Sequence, residues 1–208
     1  MKNRRIFALL STFASCAFVA LAQTGTPTTD PSRQLSDMAK ANKDVETIRC
    51  HYDMTRSVAL LADDIKDEGV FRYCKSAGGF SLTSASPDGE NTTVTNEYFE
   101  NTSSGKTVRL SVGRNPAMRQ MLDMVGGCLT GDFSALAKYG EVSYFDAPKS
   151  FTVLFTPKDK RAMRHVKSIS MTFGKGDYSM VEMTMTAPNG DKTIYRFGAK
   201  DYSAGCEL

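Results

Sequence analysis

Apolar and polar residues alternate from residue 150 to residue 197, and that alternation limits what this chain can fold into. Phe151, Val153 and Phe155 share one side of a first run, opposite Thr152 and Thr156. Ile169, Met171 and Phe173 share one side of a second, and Val181, Met183 and Met185 one side of a third. Tyr195 and Phe197 form the fourth. A period of two places each set on one face of a pleated strand. Gly174-Lys175-Gly176-Asp177 and Pro188-Asn189-Gly190-Asp191 supply turn chemistry between runs. The segment reads as an antiparallel meander, apolar inside and polar outside.

The inner face mixes Phe with Met, in a chain holding 11 Met and no Trp. Met is unbranched and polarisable, so it conforms to irregular partners. Two readings stand side by side: an ordinary sheet core, or a concave surface that holds a flexible apolar ligand.

Upstream, Asp30-Pro31 is a cap followed by proline, and Leu35, Met38, Ala39 and Val45 recur at helical spacing. A long strand is expected over 48–60, with Ile48, Cys50, Tyr52, Met54, Val58 and Leu60 on its apolar face. Residues 63–69 read as a polar connector. Further strands are expected at 70–75, 80–83, 92–99 and 107–112. Asn115-Pro116 repeats the cap-plus-proline signal, and Met118, Met121, Leu122 and Val125 make a helical stripe that Gly126-Gly127 should end. A shorter helix is expected over 132–139, then a strand over 142–145. About ten strands in one sheet must curl, split or close. Helices inserted between strand runs would cover the resulting hollow.

Residues 1–22 read as a secretory signal. Lys2, Arg4 and Arg5 precede an apolar run, and Ala20-Leu21-Ala22 is an A-x-A cleavage site. Residues 23–30 read as a disordered, Thr-rich linker. Phe13-Ala14-Ser15-Cys16 is a weak lipid-attachment pattern and offers a tethered alternative. Losing the signal takes three charges from the 26 Lys and Arg, which then balance the 23 Asp and Glu. A near-neutral chain does not suit nucleic acid. Of Cys50, Cys74, Cys128 and Cys206, the pair Cys50–Cys74 is preferred if a disulfide forms, since both lie on successive expected strands. Free buried thiols are the alternative.

Sites of chemistry are sparse. His51 neighbours Cys50, but adjacent strand residues point to opposite faces. His165 lies in a basic loop, 158–167, whose Arg161 and Arg164 are either a solvated surface or a dock for an acidic partner. No G-x-S-x-G, H-E-x-x-H, phosphate loop or dinucleotide fingerprint is present. The sequence therefore points to no catalytic residues, no metal and no cofactor.

Several weak motifs occur in a suggestive order between Leu35 and Phe197. They are Val45-Glu46-Thr47-Ile48-Arg49-Cys50-His51-Tyr52, Gly69-Val70-Phe71-Arg72-Tyr73-Cys74-Lys75, and Asn115-Pro116-Ala117-Met118-Arg119-Gln120-Met121 running to Leu129-Thr130-Gly131-Asp132-Phe133. Phe155-Thr156-Pro157-Lys158 and Asn189-Gly190-Asp191-Lys192-Thr193-Ile194-Tyr195-Arg196-Phe197 follow. This layout resembles the LolA-type periplasmic carriers of outer-membrane lipoproteins, in their divergent Bacteroidetes-like form. The resemblance implies a mainly β protein: an incomplete antiparallel β-barrel covered by the leading helix and the mid-chain helical insertion, forming one carrier domain over 31–208. It implies an apolar cavity for acyl chains, lined by Tyr52, Met54, Met118, Met121, Leu122, Val125, Phe151, Val153, Phe155, Ile169, Met171, Phe173, Val181, Met183 and Met185. It further implies a monomer working with acylated lipoprotein or lipid cargo, an inner-membrane lipoprotein-releasing transporter and an outer-membrane acceptor. Lys75 would dock or gate. The chain departs from the family in having Ser76 where a proline follows the basic residue, in lacking Trp, and in ending at 201–208 without a final apolar strand. The rivals are a lipid-anchored acceptor, a general hydrophobic-ligand binder and a periplasmic hydrolase.

Overall fold

The computed structural model describes residues 25–160 and 162–208. The expected signal at 1–22, Cys16 and Arg161 lie outside the described residues. Twelve antiparallel strands form one sheet. They are β1 (Thr26–Thr28), β2 (Thr47–Ser57), β3 (Ile65–Cys74), β4 (Gly79–Ser84), β5 (Asn91–Val94), β6 (Tyr98–Ser103) and β7 (Lys106–Ser111), then β8 (Gly140–Asp146), β9 (Ser150–Pro157), β10 (Ser168–Gly174), β11 (Met180–Thr186) and β12 (Lys192–Phe197). Helix α1 (Ser32–Asn42) leads the main meander, and α2 (Pro116–Thr130) follows β7. The order across the sheet is β1-β8-β9-β10-β11-β12-β2-β3-β4-β5-β6-β7. The sheet does not close, so the molecule is an incomplete barrel with a helical lid.

Topology places that lid. β2–β7 form one meander and β8–β12 another, joined where β12 pairs with β2. The chain therefore leaves the sheet at edge strand β7 and must return beside β1, at the far end. The segment carrying α2 makes this crossing over the concave face. The α1 helix packs beside it, burying Met38 completely.

Several local expectations change. Thr26–Thr28, expected as disordered linker, pairs with Tyr144, Phe145 and Asp146 as an edge strand. Residues 65–69, expected as connector, belong to β3, which pairs along β2 as far as Arg56↔Ile65. β2 itself ends at Ser57, so Leu60 lies past the strand, not on an inner face, and is 96% exposed. The expected strand over 92–99 is two strands. Thr95 Oγ1 accepts the Glu97 and Tyr98 amides at 3.2 and 3.1 Å, making a turn without glycine or proline. The helix expected over 132–139 is a 3-10 turn at Ser134–Lys138.

Gly126-Gly127 does not end α2, which runs on to Thr130. Gly131, at φ +68°, is the terminating glycine. Gly127 has a packing role: a Cβ there would lie 2.6 Å from the Phe133 ring. Gly126 faces open space.

The preferred Cys50–Cys74 bridge is also replaced. Register sets Cys74 opposite Thr47 and Cys50 opposite Phe71, which holds the two apart. Cys74 instead bonds to Cys206, with their Cα atoms 5.2 Å apart. Residues 198–206 follow β2 towards its start. The Gly198 amide donates to the His51 carbonyl at 2.9 Å, and Arg49 and Asp201 exchange two backbone bonds of 2.8 Å. Thr47 Oγ1 donates to the Ala204 carbonyl at 2.8 Å. This C-terminal strap takes the place of the final apolar strand.

Two outcomes follow for stability. Replacing both Cys74 and Cys206 by Ser should cost about 3–5 kcal/mol, because the bridge closes a long loop; urea unfolding with and without reductant measures it. Gly126→Ala should stabilise the protein by about 0.5–1 kcal/mol. Gly127→Ala should destabilise it by about 1–3 kcal/mol through overpacking against Phe133, read from the same unfolding curves.

Candidate functional site

The interior has two parts of different character. Phe151, Val153 and Phe155 of β9, with Ile169, Met171 and Phe173 of β10, pack against Met38, Met124, Cys128, Phe133 and Leu136. Four of these six sheet residues (Phe151, Val153, Phe155 and Phe173) have no exposed surface. This half is filled by its own side chains. Met183 and Met185 flank it.

The second part lies under α2 against β12 and β2–β5. Cys50, Tyr52, Phe71, Phe80, Val94 and Phe197 form its floor. Met118, Met121, Leu122 and Val125 reach down from α2, and Met54 and Met183 from the sheet, all only partly buried. Unbranched Met makes this contact adaptable.

A hollow of about 50 Å³ lies in this second part. Its sheet wall is Ile48, Cys50, Phe71, Tyr73, Met180 and Phe197, and its helical wall is Val125, Cys128 and Leu129. The Phe71 and Phe197 rings meet edge to face at 5.5 Å. Asn42, Tyr178, Ser179, Lys200 and Tyr202 supply the polar rim. A groove of about 290 Å³ adjoins it between α1, α2 and β3, sharing Asn42, Tyr73 and Leu129. The hollow is little larger than one or two waters, each occupying about 30 Å³ in the liquid.

Of the residues expected to line a cavity, the structure brings Val125 to the hollow and sets Tyr52, Met54, Met118, Met121, Leu122 and Met183 around it. Phe151, Val153, Phe155, Ile169, Met171 and Phe173 belong to the filled half. Val181 leaves the inner stripe. A bulge between Thr172 and Phe173 shifts the register, so Met180 opposes Phe173 and Val181 is 38% exposed. Sequence reasoning missed Ile48, Phe71, Tyr73, Met180, Lys200 and Tyr202 as walls. Ile48, Cys50 and Phe197 were already legible as inward by alternation. Lys200 and Tyr202 carried no periodic signal.

Lys75 stands at the adjoining groove and is held by Glu46 at 2.8 Å, which raises its pKa above the ordinary lysine value. Arg164 is exposed in a 3-10 turn at Ala162–Arg164. On the outer face, His51 Nε2 lies 3.4 Å from Asp53 and 3.7 Å from Glu68, and all three are exposed. They sit across β2 and β3 from the hollow.

The thiols at the site are inert. Burial pushes Cys128 up to about 12 and also raises Cys50. Both stay protonated near neutral pH, the opposite of what a nucleophilic thiol requires. Cys128 Sγ lies 3.6 Å from the Met171 sulfur, a weak polar link from α2 to the sheet.

The structure is thus an open barrel whose concave face is roofed by a helix over an apolar floor. The sequence profile described as "Outer membrane lipoprotein carrier protein LolA-like" matches residues 30–206. The chain belongs to that family. Solved structures it resembles include an uncharacterized conserved protein from Thermus thermophilus, at 8% identity and TM-score 0.48, covering 83% of this chain and 87% of that one. A putative outer membrane lipoprotein-sorting protein domain from Vibrio parahaemolyticus is 9% identical, with TM-score 0.45 and coverage of 84% and 93%. LprF from Mycobacterium bovis is 13% identical, with TM-score 0.36 and coverage of 88% and 99%. A comparison with curated protein sequences finds no match.

The two interior parts should respond differently to a buried charge. Val153→Glu should prevent folding, since an unpaired carboxylate in the filled half costs several kcal/mol or more. Val125→Glu should leave the protein folded, because its side chain can reach the polar rim. Circular dichroism and unfolding curves of the two variants distinguish them.

Proposed function

We propose that this protein is an exported periplasmic carrier that shields the acyl chains of lipoproteins on their way to the outer membrane. The observation that carries the reading is the apolar hollow beneath α2, in a chain whose family is described as lipoprotein carriers. A fatty chain gains about 0.8 kcal/mol per buried CH₂, so it needs a dry escort across an aqueous space. Release needs a grip that opens. The α2 lid meets the second half of the interior through partly buried, largely Met-based contacts, so its separation there breaks little polar bonding.

The mechanism begins with the lid lifting from β2, β3 and β12. Val125 and Leu129 withdraw from Phe71 and Phe197, and the hollow joins the groove bounded by Asn42, Tyr73 and Leu129. The filled half stays intact and keeps α2 attached through Phe133, Met124 and Cys128. An acyl chain then replaces the contacts that the helix gave up. The carrier domain spans 31–208 after cleavage of the signal at 1–22, and it works as a monomer without cofactor, metal or catalysis. An inner-membrane lipoprotein-releasing transporter loads it, and an outer-membrane acceptor unloads it. Lys75, Arg161 and Arg164 are the docking cations.

Native mass spectrometry of the exported protein should detect bound acyl material, and delipidated protein should take up a fluorescent fatty probe. Val125→Glu should weaken that uptake at least about tenfold while folding normally. No bound lipid and no uptake by the folded wild type would overturn the carrier reading.

A further inference from the structure

We propose that the hollow receives a single-chain amphiphile with an anionic head, the head paired with Lys200 and the tail passing under α2. The inference rests on the apolar hollow that carries the reading above and adds a free lipid as a second class of ligand.

Lys200 sits on the C-terminal strap, where the backbone bonds at Gly198 and Asp201 and the Cys74–Cys206 bridge fix its place. Its side chain forms part of the rim of the hollow. Nζ donates to the Gly198 carbonyl at 2.7 Å and more weakly to the Phe197 carbonyl at 3.5 Å. An ammonium has three donors, so one remains for a ligand. Among the described residues no carboxylate lies within ion-pairing distance of Lys200, and Asp177 acts on it only at longer range. Burial lowers the Lys200 pKa below the ordinary lysine value. A partly buried cation without a direct ion-pair partner is costly, and a ligand anion relieves that cost.

The rest of the rim fits the same ligand. Tyr178, Ser179 and Tyr202 line the hollow together with Lys200. Tyr178 adopts φ +54°, an uncommon conformation for a bulky residue. Such outliers persist where surrounding structure enforces them and are frequent at ligand sites. Behind the rim, the walls are aromatic, aliphatic and sulfur-bearing. The adjoining groove shares Tyr73 and Leu129 with the hollow, so parting these two residues opens a path for one chain.

The shared chemistry is a compact anion on one acyl chain, supplied by a fatty-acid carboxylate or a lysolipid phosphate. Delipidated full-length mature protein is titrated calorimetrically with palmitate, palmitoyl-lysophosphatidate and monopalmitoylglycerol below their micellar concentrations. Wild type should bind at least one anionic ligand about tenfold more tightly than the neutral one, and the tighter of the two identifies the head. Lys200→Met should reduce the anionic affinity to the level of the glyceride and leave glyceride binding unchanged. Lys200→Arg should keep the preference. Equal binding of all three lipids to wild type, or an equal loss of all three in Lys200→Met, overturns the head-group assignment and leaves the carrier reading standing. Binding of none by folded wild type overturns both.

Discussion

The pairing of β12 with β2 is the contact on which the architecture depends. It joins the last strand to the first long one, with Phe197 opposite Tyr52 and Tyr195 opposite Met54. Two local meanders thereby become one sheet whose middle is made from the two ends of the fold. Strand twist curls a sheet of this width into a partial barrel. The chain between β7 and β8 then has to connect opposite margins, so a helix over the hollow side is a consequence of the pairing. The same contact positions the strap, because residues 198–206 continue from β12 along β2. Rim, floor and lid all trace back to one strand register.

Within that frame, packing divides the interior. Against β9 and β10 the helices present Met38, Phe133 and Leu136, and the Phe and Val side chains of the sheet fill the space between. Gly127 lets Phe133 approach α2 closely, and Gly131 lies against the Leu35 carbonyl of α1. These contacts hold one face of the lid, that of Met124 and Cys128. Towards its N-terminal end, α2 offers Met118, Met121 and Leu122 to Met54, Met183 and Tyr195, all partly buried. Well-packed interiors resist change, whereas flexible thioethers can rearrange at low cost. One helix is thus held on one face and adaptable on the other, a suitable construction for a lid.

Much of the fold was legible because strand alternation and turn chemistry are local. The 150–197 meander, both helices and the inward face of Cys50, Tyr52 and Met54 follow from period and punctuation. What was not legible depended on partners. Leu60 continues the alternation of β2, but the strand ends at Ser57. Val181 continues the stripe of Met183 and Met185, but a bulge in the β10–β11 register turns it outward. Gly126-Gly127 has the composition of a helix stop, yet Gly127 answers to the Phe133 ring. The Thr95-Asn96-Glu97 turn is made by a threonine hydroxyl, which composition does not reveal. The candidate site was legible only in part: alternation marks an inward side chain, but it does not say whether the space facing it is filled. Phe151 and Phe71 look alike in sequence, and only the helix above them separates core from cavity wall.

The disposition of the cysteines follows from the same division. Cys74 ends β3 with its partner on the strap, so its bridge holds the outer margin of the site. Cys50 and Cys128 line the hollow from sheet and helix, both buried and unbridged. A covalent link between those two walls would fasten the lid to its floor and remove the motion that loading needs. As protonated thiols they present two small apolar groups to the hollow. Among the described residues the covalent link thus lies on the strap, and none joins α2 to the sheet.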